Sequence, residues 1–388
     1  MSKIAVILTN PWEYNTSSML RCRTLICALA DCGHRIICFT PYPECDNLYF
    51  CHSSIEHDNI ELIRFGKQNA SSIETISKRD RGRRKIISSI ARSIVRKVDV
   101  FGSSLLLLPF RSSISIRISK EDVDYIISFS DPMTAHMIGK YCKKRNPHVK
   151  YIQQWGDPLA ADTIAKTAQP VWVRKMIERS LINPANSVYY VSPFTLEEQK
   201  RLFPKQSEKM RFLPTPSLPY NVDDNILNHE GIVMGYFGSY NSKARNIIPF
   251  YEAARKSSKI TFYIIGDSDI KLEPEENIII LPRVSKEELD SYMKQVDVII
   301  CLMNKKGNQI PGKVYHDASS TKDILLIKDG EYGDSIQKFF DKYNHYTFVD
   351  NNMDSISTVF EEYLRNGVPQ REPVSDFQAS VIANCLLE

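Results

Sequence analysis

The sequence predicts an α/β protein with two doubly wound, Rossmann-like domains in series. Short apolar runs rich in Val and Ile alternate with stretches of helical periodicity, the pattern of parallel sheets covered on both faces. That alternation stops at "RFLPTPSLPYN", Arg211 to Asn221, whose three prolines mark a linker, and then restarts. The 388 residues also exceed what one hydrophobic core usually supports. The expected division is a first domain at 1–212 with a basic insertion at about 78–110, a linker at 213–221, a second domain at 222–366, and a tail at 367–388 able to cross back to the first domain. Two such domains on a hinge would face each other across a cleft at their strand C-termini, where open α/β sheets bind ligands.

Each element has a local reason. Ile4 to Leu8 is a continuous apolar run, and the loop "TNPWEYNTSS" leads into "SMLRCRTLICALADCG". There Leu20, Thr24, Cys27 and Ala28 recur at helical spacing until Gly33 stops the helix. "RIICFTP" and "ELIRFG" are the next strands. "VDYIISFSDP" and "KYIQQWGDP" are buried strands ending in Asp-Pro; "SVYYVSP" ends in Ser-Pro and precedes the helix "TLEEQKRLF". Beyond the linker, "IVMGYFGS", "ITFYIIGDS", "NIIILPRV", "DVIICLM", "DILLIKDG" and "YTFVDN" are strands. "IIPFYEAARK", "SKEELDSYMKQV", a helix opening at Pro311, "DSIQKFFDKY" and "SISTVFEEYLRNG" are helices, and a last apolar turn follows.

Composition narrows the function classes. A net charge of +4 is too small to suggest a nucleic-acid binder. Nine cysteines occur without a C-x-x-C, which argues against a zinc site or a disulfide scaffold and fits reduced thiols in the cytoplasm. "MSKIAVILTN" lacks the apolar run of a signal peptide, and "SSLLLLPF" is too short to span a bilayer.

The residues able to carry chemistry cluster after strands. In "NQIPGKVYHDASSTKDILLI", proline suits the first helical position, and glycine lets a ligand approach the backbone. The N-terminal dipole favours an anion, which gives Lys313 a purpose in a turn that otherwise disfavours a cation. His316 and Asp317, at i+3 and i+4, can face the same ligand. A capped helix with a surface lysine is the plainer alternative. In "GYFGSYNSKARN", Gly235 and Gly238 flank a turn delivering Ser239, Lys243 and Arg245 to a helix start, without the G-x-G-x-x-G spacing. Cations from this turn and Lys313 would form a diphosphate clamp.

The run "GYFGS…K-x-R", "YIIGDS", "NIIILPRVSKEELDSYMKQVDVIICLM" and "IPGKVYHDASSTKDILLI" resembles the donor half of GT-B glycosyltransferases, in particular the family-4-like enzymes of bacterial surface polysaccharide synthesis. The resemblance covers about 231–327; in the first half only strand order, the "TNPWEYNTSSMLRCRTL" loop and "QWGDP" support it. It implies a hexosyl transfer from a nucleotide sugar to a glycan or lipid-linked acceptor, with retention of configuration and no cofactor. It also implies that Lys243, Arg245 and Lys313 meet the diphosphate. Gly238, Ser239, Pro311, Gly312, Val314 and His316 would line the donor site, and Gly266, Asp267 and Pro282 to Ser285, Val284 included, would frame the base. Where that family often has two Glu eight positions apart, this chain has Asn308 and His316. A non-catalytic sugar-nucleotide binder and a sugar-nucleotide epimerase of the same architecture therefore stay open.

On the acceptor side Asp157 follows a strand end, as general base, as a sugar-orienting group, or as an N-cap before Pro158. Asp131 has the same ambiguity. Asn15, Thr16, Ser17 and Ser18 can approach phosphate or acceptor, or cap the first helix. "GDSD", Gly266 to Asp269, contains an Asp-x-Asp, but the doubled architecture points to a turn, not a metal pair. Finally, "SKRDRGRRKIISSIARSIVRKVDVFGSSLLLLPF" sets Ile86, Ile90, Ile94 and Val98 on one stripe, with Arg92, Arg96 and Lys97 off it. That is either an interfacial anchor on anionic lipid or a core helix with solvated arginines. It lacks the interleaved aromatics of a single-strand nucleic-acid binder.

Overall fold

The computed structural model describes residues 1–47, 49–51, 56–66, 102–130, 132–160, 169–219 and 230–388. The basic stripe from Ile86 to Val98, Asp131 and Asn221 lie outside the described residues. Contacts divide the chain into two compact units, Met1–Leu213 with Ala383–Glu388, and Pro214–Ile382.

The first unit runs β1 (Lys3–Ile7), α1 (Ser17–Asp31), β2 (Arg35–Pro41), β3 (Ile60–Phe65), a 3-10 helix (Gly102–Phe110) and α2 (Arg111–Glu121). It continues with β4 (Tyr125–Phe129), α3 (Thr134–Arg145), β5 (Lys150–Trp155), α4 (Val171–Ile182), β6 (Ser187–Tyr190), α5 (Pro193–Leu202) and β7 (Met210–Phe212). The seven-stranded sheet has the order β3-β2-β1-β4-β5-β6-β7, parallel throughout. Ile4 to Ile7 and Ile126 to Ile127 are fully buried, because helices cover both faces. α5 starts where Ser192 accepts a hydrogen bond from the Thr195 amide and Pro193 supplies a fixed φ. The proline-rich stretch that begins at Arg211 opens with the strand β7. Met210, Arg211 and Phe212 pair with Val188, Tyr189 and Tyr190, and Met210 is buried. Three residues before a proline run are too few to show a period.

The second unit runs β8 (Ile232–Phe237), α6 (Ile248–Lys256), β9 (Ile260–Ile265), β10 (Ile278–Leu281), α7 (Lys286–Gln295) and β11 (Val298–Leu302). Then come α8 (Lys313–His316), β12 (Asp323–Lys328), α9 (Gly333–Phe340), β13 (Tyr346–Asp350) and α10 (Met353–Asn366). The order β10-β9-β8-β11-β12-β13 is again parallel. α7 carries a full capping box between Ser285 and Glu288. After α10 the chain stays against this sheet. Arg371 donates to the fully buried Asp323 at 2.7 Å and to Thr347 at 2.9 Å, and the Val374 amide donates to Ala318 O. A last helix, α11 (Ala379–Leu387), ends the chain.

In both sheets the strand order reverses once, between β1 and β4 and between β8 and β11. Those switch points open a crevice at the strand C-termini.

Candidate functional site

The second switch point gathers several of the expected donor-side residues. The loop leaving β8 turns at Gly238, whose amide donates to Ile265 O at 2.9 Å. Gly266 lies against the Gly238–Ser239 peptide so closely that a Cβ there would sit 2.1 Å from Gly238 O. Only glycine permits this approach. The Lys313 stem crosses Gly238 from the β11 side: a Cβ on Gly238 would lie 3.5 Å from Lys313 Cε and 3.9 Å from Cδ. Arg245 is held rather than free. Its Nε donates to Asn304 Oδ1 at 3.1 Å and its Nη1 to Ser239 O at 3.2 Å, the carbonyl that also accepts from the Tyr236 hydroxyl at 2.9 Å. Asn304 follows β11, so this bond bridges the two strands between which the order reverses. Sequence reasoning gave no role to Asn304, which lies just past "DVIICLM", nor to Tyr236, although it stands inside "GYFGS".

The electrostatics agree with that geometry. Burial pushes the Asp317 carboxyl up, and the Lys313 charge opposes it. Asp317 Oδ2 is buried without a hydrogen-bond partner. Burial also raises the Cys301 thiol to about 12; Asp317 adds to the rise, and Lys313 and Arg245 counter it. The charge of Lys313 thus reaches both Asp317 and Cys301, and that of Arg245 reaches Cys301, near the end of β11.

Other expected residues lie differently. Lys243 is exposed, with its charge next to Asp269. Asp269 accepts from the Ser242 amide at 2.8 Å and hydroxyl at 2.9 Å, and Asp267 pairs with Arg283 at 3.0 Å. The "GDSD" carboxylates thus tie their loop to two other loops. That bond ties Asp267 to the Pro282–Ser285 loop, where Val284 is half-buried.

The helix expected to open at Pro311 is corrected. α8 is a single turn, Lys313–His316, that tightens into a 3-10 turn at Asp317–Ser319. The Val314 amide donates to Pro311 O, and those of Tyr315 and His316 to Gly312 O. Such a turn has little dipole and few free amides to offer an anion. The side chain of Lys313 remains the group in position. Pro311, Val314 and His316 are buried, Gly312 is half-buried, and His316 O accepts from the Leu218 amide at 3.0 Å. Asn308 is buried.

In the first unit, Thr16 accepts from the Met19 amide at 3.2 Å and is the N-cap of α1, with Ser17 exposed as its first residue. Asn15 Oδ1 accepts from the buried Arg23 at 2.7 Å. The Gly156 amide donates to Ser130 Oγ at 2.7 Å, and Thr9 Oγ1 donates to Pro132 O at 3.1 Å, which draws together the loops after β1, β4 and β5. Asp157, half-buried, stands in that group. Residues 158–160 are not helical, so Asp157 is not the N-cap of a helix opening at Pro158.

A residue that sequence reasoning missed supports this loop. Glu178 of α4 is fully buried; its Oε2 accepts from the Ala160 amide at 2.6 Å, and Arg174 Nη1 donates to Leu159 O at 3.1 Å. Burial raises the Glu178 carboxyl to about 8. Nearby, His136 is buried against Trp155 with ring centroids 4.4 Å apart, and its Nδ1 lies 2.7 Å from Ser128 Oγ. Burial lowers it to about 3, so it is a neutral core residue.

No protein-family model matches the chain, and no curated protein matches it in sequence. Solved structures do match. The chain is similar to a sucrose-phosphate synthase from Thermosynechococcus elongatus, with a TM-score of 0.61 and 14% identity over 100% of this chain and 94% of that one. It is similar to HepE from Anabaena, solved with UDP and glucose, with a TM-score of 0.56 and 10% identity over 100% and 94% of the two chains. It also matches a supposed UDP-N-acetylglucosamine 2-epimerase from Listeria monocytogenes, with a TM-score of 0.52 and 10% identity over 100% and 95%. The chain has the GT-B fold, and at these identities the likeness speaks for the fold alone.

Proposed function

We propose that this protein is a glycosyltransferase that moves a sugar from a nucleotide-sugar donor to a glycan or lipid-linked glycan acceptor in surface polysaccharide assembly. One observation carries the reading: at the β8/β11 switch point the Lys313 stem lies over Gly238 while Arg245 is fixed between Asn304 and Ser239 O. Two cations from separate segments thereby border the turn in which a diphosphate would sit. In sugar transfer the negative charge grows on that diphosphate as the glycosidic bond breaks, so fixed cations there stabilise the transition state more than the ground state. Asp157 of the first unit is the candidate to orient or deprotonate the acceptor hydroxyl. Retention of configuration and independence of a metal belong to this reading, as does work at the cytoplasmic face of a membrane. Further support comes from HepE, a chain of this fold solved with UDP.

The test is a nucleotide-sugar panel read by thermal shift, then turnover of the best ligand by the Lys313→Ala variant. Loss of the lysine should lower kcat on the order of 10²–10³-fold, the cost of removing one well-placed electrostatic contact. Undiminished turnover would overturn the clamp. The likeness to the supposed epimerase favours one second reading, in which the donor is converted with no acceptor present. Product analysis without acceptor separates the two.

A further inference from the structure

Outside the donor site, α4 presents an unusual outer face. Val171, Trp172 and Met176 are 49%, 66% and 59% exposed. Such exposure is unusual for large apolar side chains grouped on one helix. At 100° per residue, Val171, Lys175, Arg179, Trp172 and Met176 fall within an arc of about 140°. Leu181 is buried on the other side, Glu178 is buried just past the Val171 edge of the arc, and the arc closes at the last residue of the helix, Ile182, which is buried too. The exposed arc is thus apolar and basic and carries no acid.

The neighbouring surface has the same character. α3 packs against α4, Lys140 donating to Ser180. Between them the two helices carry seven basic residues (Lys140, Lys143, Lys144, Arg145, Arg174, Lys175 and Arg179) and one acid, the buried Glu178. The 3-10 helix and α2, which also pack on α3, add Leu106 at 76% exposed and Ile116 at 56%.

We propose that the outer face of α4, extended by α3 and the 3-10 helix, is a docking surface for an anionic lipid bilayer. A helix with Trp on its apolar side and Lys and Arg beside it is built to lie in a headgroup layer, the ring at the boundary and the cations on lipid phosphates. Charge decides the occupant. A symmetric contact between two copies would bring this basic face against itself, and like charges oppose that. An anionic bilayer complements both the charge and the apolar tips. The inference rests on the proposed lipid-linked acceptor for its purpose, since an enzyme held at the bilayer meets a substrate confined there.

The protein carries its own reporter. Of its three tryptophans, Trp12 is 2% exposed, Trp155 is buried completely, and only Trp172 is in solvent. The full chain is titrated with vesicles of phosphatidylcholine alone or containing phosphatidylglycerol. With the anionic vesicles we expect a blue shift of the emission, protection from iodide quenching, and reversal by added salt. Trp172→Ser and the pair Lys175→Glu with Arg179→Glu should each lower co-sedimentation about tenfold or more. These side chains lie on the outer arc, and circular dichroism checks the fold of each variant. Four results would overturn the proposal: co-sedimentation with Trp172 still open to iodide, equal binding to neutral vesicles, the same spectral change on dimerisation without lipid, or its appearance with an oligonucleotide instead. Vesicle binding needs no sugar donor, and turnover on a soluble acceptor needs no vesicle, so this inference and the transferase reading fail separately.

Discussion

Glu178 has no cue in the sequence around it, and its role arises wholly from what folding places above it. Its carboxyl holds the Ala160 amide, and through it the loop that begins at Asp157, from inside the protein. Burial is the larger influence on its acidity, with the backbone bonds to Ala160 and Leu159 and the charge of Arg174 pulling the other way and Glu198 adding slightly to the rise. At pH 7 the group is protonated in the fold and ionised in the unfolded chain. The folded state therefore binds the extra proton, and stability falls as pH rises from the ordinary 4.5 to about 8. Glu178→Gln keeps a carbonyl for the Ala160 amide and removes the titration. We expect urea midpoints of the parent to decline against those of the variant across this window, by up to about 1.4 kcal/mol per pH unit. Parallel curves would mean that the carboxylate is already ionised in the fold.

Between the elements, the donor site depends on loops that touch through backbone. Gly266 presses on the Gly238–Ser239 peptide, whereas Gly238 faces only the ordinary contact distance to the Lys313 stem. The two glycines should therefore respond differently. Gly266→Ala drives a methyl into Gly238 O, displaces the peptide that precedes the Ser239 carbonyl holding Arg245, and should weaken nucleotide binding at least tenfold with a lowered melting temperature. Gly238→Ala should fold as the parent does. Calorimetric titration with UDP or another donor nucleotide checks both, and equal affinities for parent and Gly266→Ala would contradict the assigned packing. This contrast is invisible in "GYFGS" and "YIIGDS", where both glycines simply end strands. What was legible was one-dimensional: Val- and Ile-rich runs gave the strands, and the stretches "TLEEQKRLF" and "SKEELDSYMKQV" gave α5 and α7, though not the caps that start them. What was not legible depends on partners far along the chain. β7 exists because Met210 finds Val188, and α8 gives way to a 3-10 turn after four residues although Val314, Tyr315 and Ala318 are all buried. Arg245 was readable as a cation, but its anchorage on Asn304 was not.

Across the whole chain, each unit has a sheet and a core of its own, one around Tyr151, Trp155 and Tyr190 and the other around Phe250, Phe262 and Phe360. The candidate donor cations all belong to the second. A ligand adds stability only to the states that bind it, so a donor nucleotide at 100 times its dissociation constant should add about 2.7 kcal/mol to the unit that closes on it. Amide exchange resolves where that gain falls. We expect slowed exchange in peptides spanning the ends of β8 and β11, from Phe237 to Arg245 and from Leu302 to Val314. Peptides covering β2 and β3 should exchange at the unliganded rate, because no residue of those two strands is assigned to the nucleotide. Protection confined to the first unit, around Thr9, Ser130 and Gly156, would move the nucleotide to the other switch point and leave Lys313 and Arg245 as structural cations. The two sheets have the same order and the same kind of crevice, so topology alone does not choose between them. The choice rests on chemistry: each crevice has a fixed arginine nearby, Arg23 on Trp12 O and Asn15 in the first unit and Arg245 on Asn304 and Ser239 O in the second, but in the second the stem of a further cation, Lys313, also lies over the strand-end turn.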